Sequence, residues 1–375
     1  MNRDIVRATR AEVADLAHAG LDWVTFAART TDVIQRVVPF QRSCWHTVDP
    51  GTILFTGSLN RGISCSGSWL AEHEYVIDDV NKWSFLARSG RGAGATSVAT
   101  HGDLTRSARH RSHAAYGIGD ELRGAFVTDG IYWGAAGFLR DGAEPWFTEQ
   151  EVQLLAALRE VVSAGLRRAI LAAVTEDVGQ APVGPGVVVF DAAGDAESIS
   201  PAAEAWIEQL AESPPPAVPH ESKVVQAVAA QARAVGPGED PLGRGAQARV
   251  RTRSGAWLLL YGTRLSGVAD GRTAVIIQPA TPTEVAPLVA LAYGLSDREA
   301  QVARLCMHGL STKEMARSLH VSPYTVQDHL KSVFDKTGVR SRGELVGQIF
   351  LEHFVPRWEQ HPGAPTGWSA TGSTP

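Results

Sequence analysis

Residues 295–345 read LSDREAQVARLCMHGLSTKEMARSLHVSPYTVQDHLKSVFDKTGVRSRGEL, and this stretch decides the fold of the C-terminal part of the chain. Ser296 followed by Glu299 has the spacing of a capping box, which predicts the start of a helix. Gly309 predicts the end of that helix, because glycine readily takes the left-handed conformation that follows a helix. A second helix is expected to begin near Ser311.

A third helix is predicted from Pro323 to about Thr337, since Ser322 is a suitable N-cap and proline is tolerated in the first helical turn. Helical spacing gives it an inward face of Val326, Leu330, Val333 and Phe334. Its outward face carries Tyr324, Gln327, Asp328, Lys331 and Asp335. A tight turn followed by a helix with long polar side chains is the helix-turn-helix plan, in which the second helix enters the DNA major groove. The alternative is a small helical bundle with a solvated polar stripe.

The amino-acid sequence of this stretch closely resembles that of the LuxR/NarL-type helix-turn-helix domain, also called GerE-type. The matching segments are Leu295–Glu299, Gly309–Ala316, Ser322–His329 and Lys336–Arg342. The resemblance implies an all-α DNA-binding domain over residues 295–355, with double-stranded DNA as its partner.

The resemblance also implies roles for individual residues. Gln327, Asp328 and Lys331 would face base edges. The residues that would position the domain on phosphates are Thr312, Lys313, Tyr324, Thr325 and Arg340. The helix near Ser341–Phe354 would pair two copies. The sequence departs from the family pattern at Gln327 and Asp328, because a basic residue usually follows the Thr-Val pair.

The charge of this domain predicts a dimer. Residues 295–354 contain eight Lys and Arg residues against seven acidic ones, a difference of only +1. Attraction to phosphates supplies most non-specific affinity for DNA. A single copy should therefore bind weakly, and a homodimer is expected.

The whole chain of 375 residues has a formal net charge of −5, so a DNA-binding surface must be local. Its length favours two or three domains. The three cysteines, Cys44, Cys65 and Cys306, form no CxxC pair, which favours a reducing compartment. No apolar run reaches the roughly 20 residues that a membrane span needs. We therefore expect a cytoplasmic protein without a membrane partner.

Residues 1–173 resemble a GAF-type small-molecule sensor domain with an α/β fold. The elements expected there are a helical region over 1–40, a hairpin over 43–58, a helical stretch over 69–86, a loop over 89–119, strands over 121–128 and 132–140, and a long helix ending near 173. Thr148 and Glu151 form a second capping box at the start of that long helix. The helix could also contact a second copy of the chain.

Residues 187–279 resemble a degenerate PAS-like α/β module, with strands expected over 187–191, 246–252, 256–265 and 273–278. Residues 174–186 and 280–294 are expected to be linkers, because both are rich in glycine or proline. Residues 356–375 have the composition of a disordered tail. The predicted fold class is thus multidomain α+β.

No cofactor and no metal site is predicted, and the residues that would bind an effector are unknown. His101, His110 and His113 share their loop with Arg106, Arg109 and Arg111, and nearby cations oppose a metal ion. The loop could instead bind an anion or a partner, or be simply solvated. The tryptophans at 45, 69, 83 and 133 could line an apolar pocket or belong to the core.

We expect the protein not to be an enzyme, since it has neither a G-x-S-x-G elbow nor a P-loop. One alternative is a thiol enzyme that uses Cys44 or Cys65 with His46. Another is a redox or haem-type sensor with the same DNA-binding output. The favoured interpretation is a transcription regulator whose N-terminal part responds to an unidentified small molecule or protein.

Overall fold

The computed structural model describes residues 3–172, 184–235, 245–266 and 271–353, with side chains described up to residue 347. These residues divide into two compact units, and the boundary between them in the sequence falls between Gly294 and Leu295. The larger unit mixes helices and sheets, whereas the smaller unit is entirely helical. The predicted multidomain α+β class is confirmed.

The α-helices of the larger unit are α1 (Arg3–His18), α2 (Trp23–Gln35), α3 (Gly67–Ala71), α4 (Trp83–Arg88), α5 (Thr96–Ala99), α6 (Ala108–His113), α7 (Glu149–Leu171), α8 (Pro201–Glu208), α9 (Lys223–Ala234) and α10 (Pro282–Ala292). Its strands are β1 (Arg42–Val48), β2 (Phe55–Arg61), β3 (Ala93–Ala95), β4 (Ile118–Thr128), β5 (Ile131–Asp141), β6 (Gly186–Phe190), β7 (Ala196–Ile199), β8 (Glu212–Ser213), β9 (Ala246–Arg251), β10 (Trp257–Arg264) and β11 (Thr273–Pro279).

The first sheet has the strand order β3-β4-β5-β1-β2-β8. The predicted hairpin over residues 43–58 is present as β1 and β2, and the predicted strands over 121–128 and 132–140 are present as β4 and β5. Helix α7 begins with the predicted capping box of Thr148 and Glu151, and it packs between this sheet and helices α1 and α2. The buried side chains of α7 therefore pack against elements of the same chain.

The second sheet has the order β7-β6-β11-β10-β9, and all of its strands run antiparallel to their neighbours. Helix α9 packs against β10 and β11 of this sheet and also against β2 and α3 of the N-terminal half. Nine of its twelve residues are buried, and Ala227 shares a core cluster with Cys44 and Trp83. The parts predicted as GAF-like and PAS-like therefore share one core.

Two stretches of the N-terminal half differ from the sequence prediction. The helical stretch over residues 69–86 is broken: α3 continues into a π-helical turn at Glu72–Val76, and the chain leaves helical structure before α4. The expected loop over residues 89–119 contains strand β3 and helices α5 and α6. Both stretches contribute side chains to ion pairs with residues far apart in the sequence.

Arg109, which the sequence placed in a solvated or anion-binding loop, is fully buried. Its guanidinium lies 3.0 Å from Asp79 Oδ2 and 3.2 Å from Glu121 Oε2. Arg123 contacts the other oxygen of Glu121 at 2.8 Å and Glu74 at 3.0 Å. Burial acts to raise the pKa of Glu121, but Arg123 and Arg109 outweigh it and hold the pKa well below its ordinary value. The loop is ordered because its arginine completes this buried network.

Residues 280–294, which we expected to be a linker, contain helix α10. Thr281 and Glu284 form a capping box, and Pro282 occupies the first turn, where it costs no hydrogen bond. The helix buries Val285 and Leu288, so apolar burial outweighs the proline-rich composition. Of the expected linker 174–186, residues 174–183 lie outside the described residues, as does the tail at 356–375.

Asp49 and Arg249 join the two halves of the larger unit. Arg249 Nε donates to Asp49 Oδ2 at 2.8 Å, and Arg249 Nη2 donates to Oδ1 at 2.5 Å. The backbone N–H groups of Gly51 and Arg249 also donate to this carboxylate. The Asp49 side chain has no exposed surface, so its charge depends on these partners.

We expect Asp49→Asn to lower the unfolding free energy of the larger unit by about 3 kcal/mol, because it leaves a largely buried arginine without its counter-charge. The matched control is Asp32→Asn, since Asp32 pairs with Arg61 at 2.6 Å with both side chains substantially exposed. That change should cost about 0.5 kcal/mol. Urea unfolding followed by tryptophan fluorescence measures both. Equal losses in the two variants would contradict the role given to Asp49.

Candidate nucleic-acid interface

The smaller unit consists of helices α11 (Asp297–Met307), α12 (Thr312–Leu319), α13 (Pro323–Thr337) and α14 (Arg342–His353). The helix predicted from Pro323 to about Thr337 is present as α13. Helices α11 and α12 both pack against α13, and α14 packs against α11. Residues 311–337 thus form a helix-turn-helix with α13 as its second helix.

The predicted helix ends of this unit are confirmed. Ser296 with Glu299 and Ser311 with Glu314 both form complete capping boxes. Gly309, which follows α11, has φ = +77°. That value is costly for any residue with a Cβ atom, so glycine is the suitable choice there.

The turn between α12 and α13 depends on His320 and Ser322. His320 ends α12 with φ = 55° and ψ = 44°, a left-handed conformation that a non-glycine residue rarely adopts. The Ser322 hydroxyl then accepts a hydrogen bond from the Thr325 backbone N–H at 3.0 Å. Only two residues separate His320 from Pro323, so these two caps set the direction in which α13 leaves the turn.

Glu299 links the start of α11 to α13. Its carboxylate accepts hydrogen bonds from Ser332 Oγ at 2.6 Å, from Lys336 Nζ at 2.7 Å and from the Ser296 backbone N–H at 2.7 Å. Burial acts to raise the pKa of Glu299, but the hydrogen bonds from Lys336, Ser332 and Ser296 outweigh it and lower the pKa to about 2. The sequence predicted only the cap, because the partners on α13 lie more than thirty positions away.

The face of α13 predicted to contact bases is exposed. Gln327, Asp328 and Lys331 are all exposed. On the opposite face Val326, Leu330 and Val333 are buried, and Phe334 is half-buried. The inward side chains fix the rotation of α13 about its axis, so the three polar side chains share one solvent-facing surface.

The residues predicted to contact phosphates lie at three places: Thr312 and Lys313 in the first turn of α12, Tyr324 and Thr325 in the first turn of α13, and Arg340 between α13 and α14. Lys313, Tyr324 and Arg340 are exposed, and Tyr324 has 73% of its surface accessible. Thr312 and Thr325 are half-buried. The Thr325 hydroxyl lies 2.9 Å from Ser322 Oγ, so it belongs to the cap of α13.

Arg342 is a positioning residue that the sequence reasoning did not assign. Its Nη2 donates to Thr312 Oγ1 at 2.6 Å, and its Nη1 donates to the carbonyl oxygen of Leu310 at 3.1 Å. Arg342 thereby ties the start of α14 to the start of α12. The hydroxyl of Thr312 keeps its own proton to donate elsewhere. The sequence feature that could have identified Arg342 is its position as the last residue of the Lys-x-x-Val-x-x-Arg segment.

The N-terminus of α13 differs from those of its neighbours in charge. Glu299, Glu314 and Glu344 lie in the first turns of α11, α12 and α14, whereas the first turn of α13 holds no acid. A carboxylate near a helix N-terminus offsets the positive end of the helix dipole. Within the described residues of this unit, α13 therefore keeps a positive N-terminal end suited to an anion such as a phosphate.

The thiol site considered from the sequence has unfavourable chemistry. Burial, followed by the charge of Glu121, raises the pKa of the Cys44 thiol to about 12. Burial also raises the pKa of Cys65 and holds the pKa of His46 well below its ordinary value. A thiolate is the reactive form of cysteine, so these environments disfavour thiol catalysis.

The loop histidines are not gathered into a metal centre. Burial lowers the pKa of His113 to about 4, and its ring packs 4.6 Å from that of Trp69. His101 is exposed. Across the described ranges, no three His, Cys, Asp or Glu side chains are placed to hold a metal ion. Trp45, Trp83 and Trp133 are fully buried core residues.

None of the helices within the described ranges combines the length and apolar character needed to cross a membrane.

Comparison with known proteins finds similarity over the smaller unit. The model of bacterial regulatory proteins, luxR family, matches residues 294–348. The spore germination protein GerE of Bacillus subtilis is 34% identical over 55 residues, which cover 15% of this chain and 74% of that protein. The capped helix-turn-helix defines a class of regulatory protein. The chain belongs to the luxR family of bacterial regulatory proteins.

Two further similar proteins differ in the share of each chain that the similarity covers. A putative HTH-type transcriptional regulator of Mycobacterium bovis is 48% identical over 54 residues, 14% of this chain, and the match spans only 6% of that protein. The crystal structure of Escherichia coli SdiA covers 92% of this chain and 96% of its own, with 10% identity and a TM-score of 0.31. A likeness at that TM-score does not establish a shared fold.

We expect Glu299→Gln to loosen the contact between α11 and α13 and to lower the stability of the smaller unit by about 2 kcal/mol at neutral pH. Hydrogen exchange of peptides from residues 297–337, measured on the full chain, reports this loss. The control is Glu314→Gln, which should cost less, because within the described part of the chain the hydrogen bonds of Glu314 join it to Ser311 in the cap of α12 and not to another helix.

The pH dependence of the Glu299 contact has a definite sign. The pKa of Glu299 is lowered from 4.5 to about 2. The carboxylate therefore adds stability above the unfolded-state pKa, and this stability is lost as the pH falls through about 2. The difference between Glu299→Gln and wild type should shrink at acidic pH. A difference independent of pH would count against the charged contact.

Proposed function

We propose that this protein is a DNA-binding transcription regulator that acts as a homodimer, with α13 reading base pairs in the major groove. The observation that carries the proposal is the exposed surface of Gln327, Asp328 and Lys331 on a helix whose opposite face is buried. Family membership supports the same function.

The chemistry of these three side chains suits base readout. Lys331 can donate to guanine O6 and N7, and Gln327 can pair with adenine through its amide. Asp328 can only accept, so it suits a donor such as the amino group of cytosine. Because Asp328 also repels phosphates, it should lower total affinity while rejecting sites that lack a donor.

Phosphate contacts are proposed for Thr312, Lys313, Tyr324, Thr325 and Arg340. Lys313 is exposed near the start of α12, and the open N-terminus of α13 adds a further positive end. Such contacts fix the position of a protein on DNA without reading its sequence.

A homodimer is proposed because the charge of one unit is small. The net charge of +1 over residues 295–354 leaves little phosphate attraction for a single copy. One of the basic side chains, Lys336, already pairs with Glu299. Two copies on adjacent half-sites would add their contacts, and α14 is the segment proposed to pair them.

The larger unit is proposed to sense a small molecule or a protein partner. Its last helix, α10, directly precedes the smaller unit in the sequence. A ligand that stabilises one arrangement of the larger unit could therefore change the DNA-bound population, provided that it binds the two states with different affinity.

We expect Asp328→Asn to keep or raise total DNA affinity while relaxing the preference at one base pair of each half-site, because asparagine can both donate and accept. The matched variant is Lys313→Ala, which should weaken all duplexes alike and reduce the salt dependence by about one charge. Binding selection from randomised duplexes, at two salt concentrations, measures both variants. An unchanged motif for Asp328→Asn, with an altered motif for Lys313→Ala, would show that the two faces are assigned wrongly.

A further inference from the structure

A cavity of about 330 Å³ lies within the larger unit, where its two halves meet. The N-terminal half contributes the start of α2, the end of β1, the start of β2 and the end of α7. The other half contributes β8, β9, β10 and α10. The volume lies within the range of cavities that hold small organic molecules.

Part of the cavity lining is apolar and includes two indole rings. The apolar lining includes Trp23, Val48, Ile170, Trp257 and Leu288. Val48, Trp257 and Leu288 are each at most 3% exposed, so the core behind them is packed and holds them in place. Planar, rigid walls of this kind suit a ring-sized apolar group.

The lining also includes three arginines at alternating positions, Arg249, Arg251 and Arg253. Arg249 is bound to Asp49, as described above. Arg251 Nη1 donates to the carbonyl oxygens of Ile170 and Ala172 at the end of α7.

Arg253 is the arginine whose charge remains available. It is exposed, and its Nη2 donates to the carbonyl oxygen of Glu208. Within the described ranges, no carboxylate forms an ion pair with Arg253. A carbonyl partner does not cancel a positive charge, so the rim of the cavity near Arg253 is electropositive.

The two acids in the lining are already engaged. Asp22 accepts hydrogen bonds from the Val24 and Thr25 backbone N–H groups at the start of α2. Glu212 accepts one from Ser222 Oγ at 2.6 Å and others from backbone N–H groups at the start of α9. Each carboxylate is therefore largely offset by donors at a helix N-terminus, and the lining as a whole favours an anion over a cation.

We infer that this cavity binds a small organic carboxylate with an apolar, ring-sized body. The ring would contact the apolar part of the lining, which includes Trp23 and Trp257, and the carboxylate would lie towards Arg253. The inference deepens the proposed sensor role and rests on it for one consequence only: a ligand here contacts Leu288 of α10, the helix that precedes the DNA-binding unit.

The test compares two probes of the same shape on the full chain by isothermal titration calorimetry. Naphthaleneacetate carries the carboxylate, and naphthaleneethanol carries an uncharged hydroxyl in its place. The acetate should bind at least about tenfold more tightly, the ratio that one charge-assisted contact supplies. Equal binding of the two probes, or binding of neither, overturns the inference.

Three variants locate the site. Arg253→Gln should remove most of the preference for the acetate, whereas Arg264→Gln should keep it, because Arg264 is exposed on β10 and lies outside the cavity lining. Thr56→Phe places a ring in the cavity from the half-buried start of β2 and should weaken both probes. Since Arg253 is exposed, its variant tests the inference even if Thr56→Phe disturbs folding. Wild-type selectivity in Arg253→Gln overturns the placement of the carboxylate.

DNA binding on the same preparations, followed by fluorescence anisotropy at low salt, separates this inference from the proposed function. If the wild-type chain binds DNA but neither probe, the cavity assignment is refuted and the proposed function is not. Probe binding by a chain that fails to bind any duplex refutes the regulator instead. Both activities in one chain support both proposals.

Discussion

The hydrogen bonds of Glu299 tie α13, the second helix of the helix-turn-helix, to the start of α11. One carboxylate caps α11 and also contacts Ser332 and Lys336 of α13. The buried apolar side chains of α13, which is 15 residues long, fix its rotation about its axis. The charge-assisted hydrogen bonds from Ser332 and Lys336 have defined directions, so they add to this constraint and hold α13 at a fixed position against α11.

The larger unit shows the same principle on a larger scale. Its two sheets share helix α9, and Asp49 with Arg249 joins them across 200 positions of sequence. Breaking such a pair leaves a buried charge, so the pair favours the packed arrangement of the two halves. The proposed ligand cavity lies beside this ion pair and borders α10. Binding there would act on the junction of the two halves rather than on either half alone.

The sequence predicted features that depend on neighbours within a few positions. Capping boxes at Ser296 and Thr148 and the N-terminal proline of α13 are local signals, and each marked a helix end correctly. The order of elements in the helix-turn-helix followed from them. Features that depend on distant partners were missed: the loop with Arg109 is ordered by Asp79 and Glu121, and no local pattern indicates that pairing.

The sequence likewise predicted some features of the candidate site and missed others. Helical spacing placed Gln327 and Lys331 on the exposed face, and the structure has them there. The link from Arg342 to Thr312 was not predicted, because it joins the starts of two helices thirty positions apart. Helix α10, within the expected linker at 280–294, was not predicted for a related reason, since the proline content drew attention away from apolar positions that the larger unit buries.

The central claim is that the outward face of α13 meets base edges. Photo-crosslinking of the full chain to a selected duplex tests it most directly, with the crosslinking residue placed at position 327 or, as a control, at position 304. Gln327 and Arg304 are both exposed, so neither replacement should disturb folding. We predict crosslinks to bases from position 327 and none from position 304. Crosslinks from position 304 alone would contradict the account.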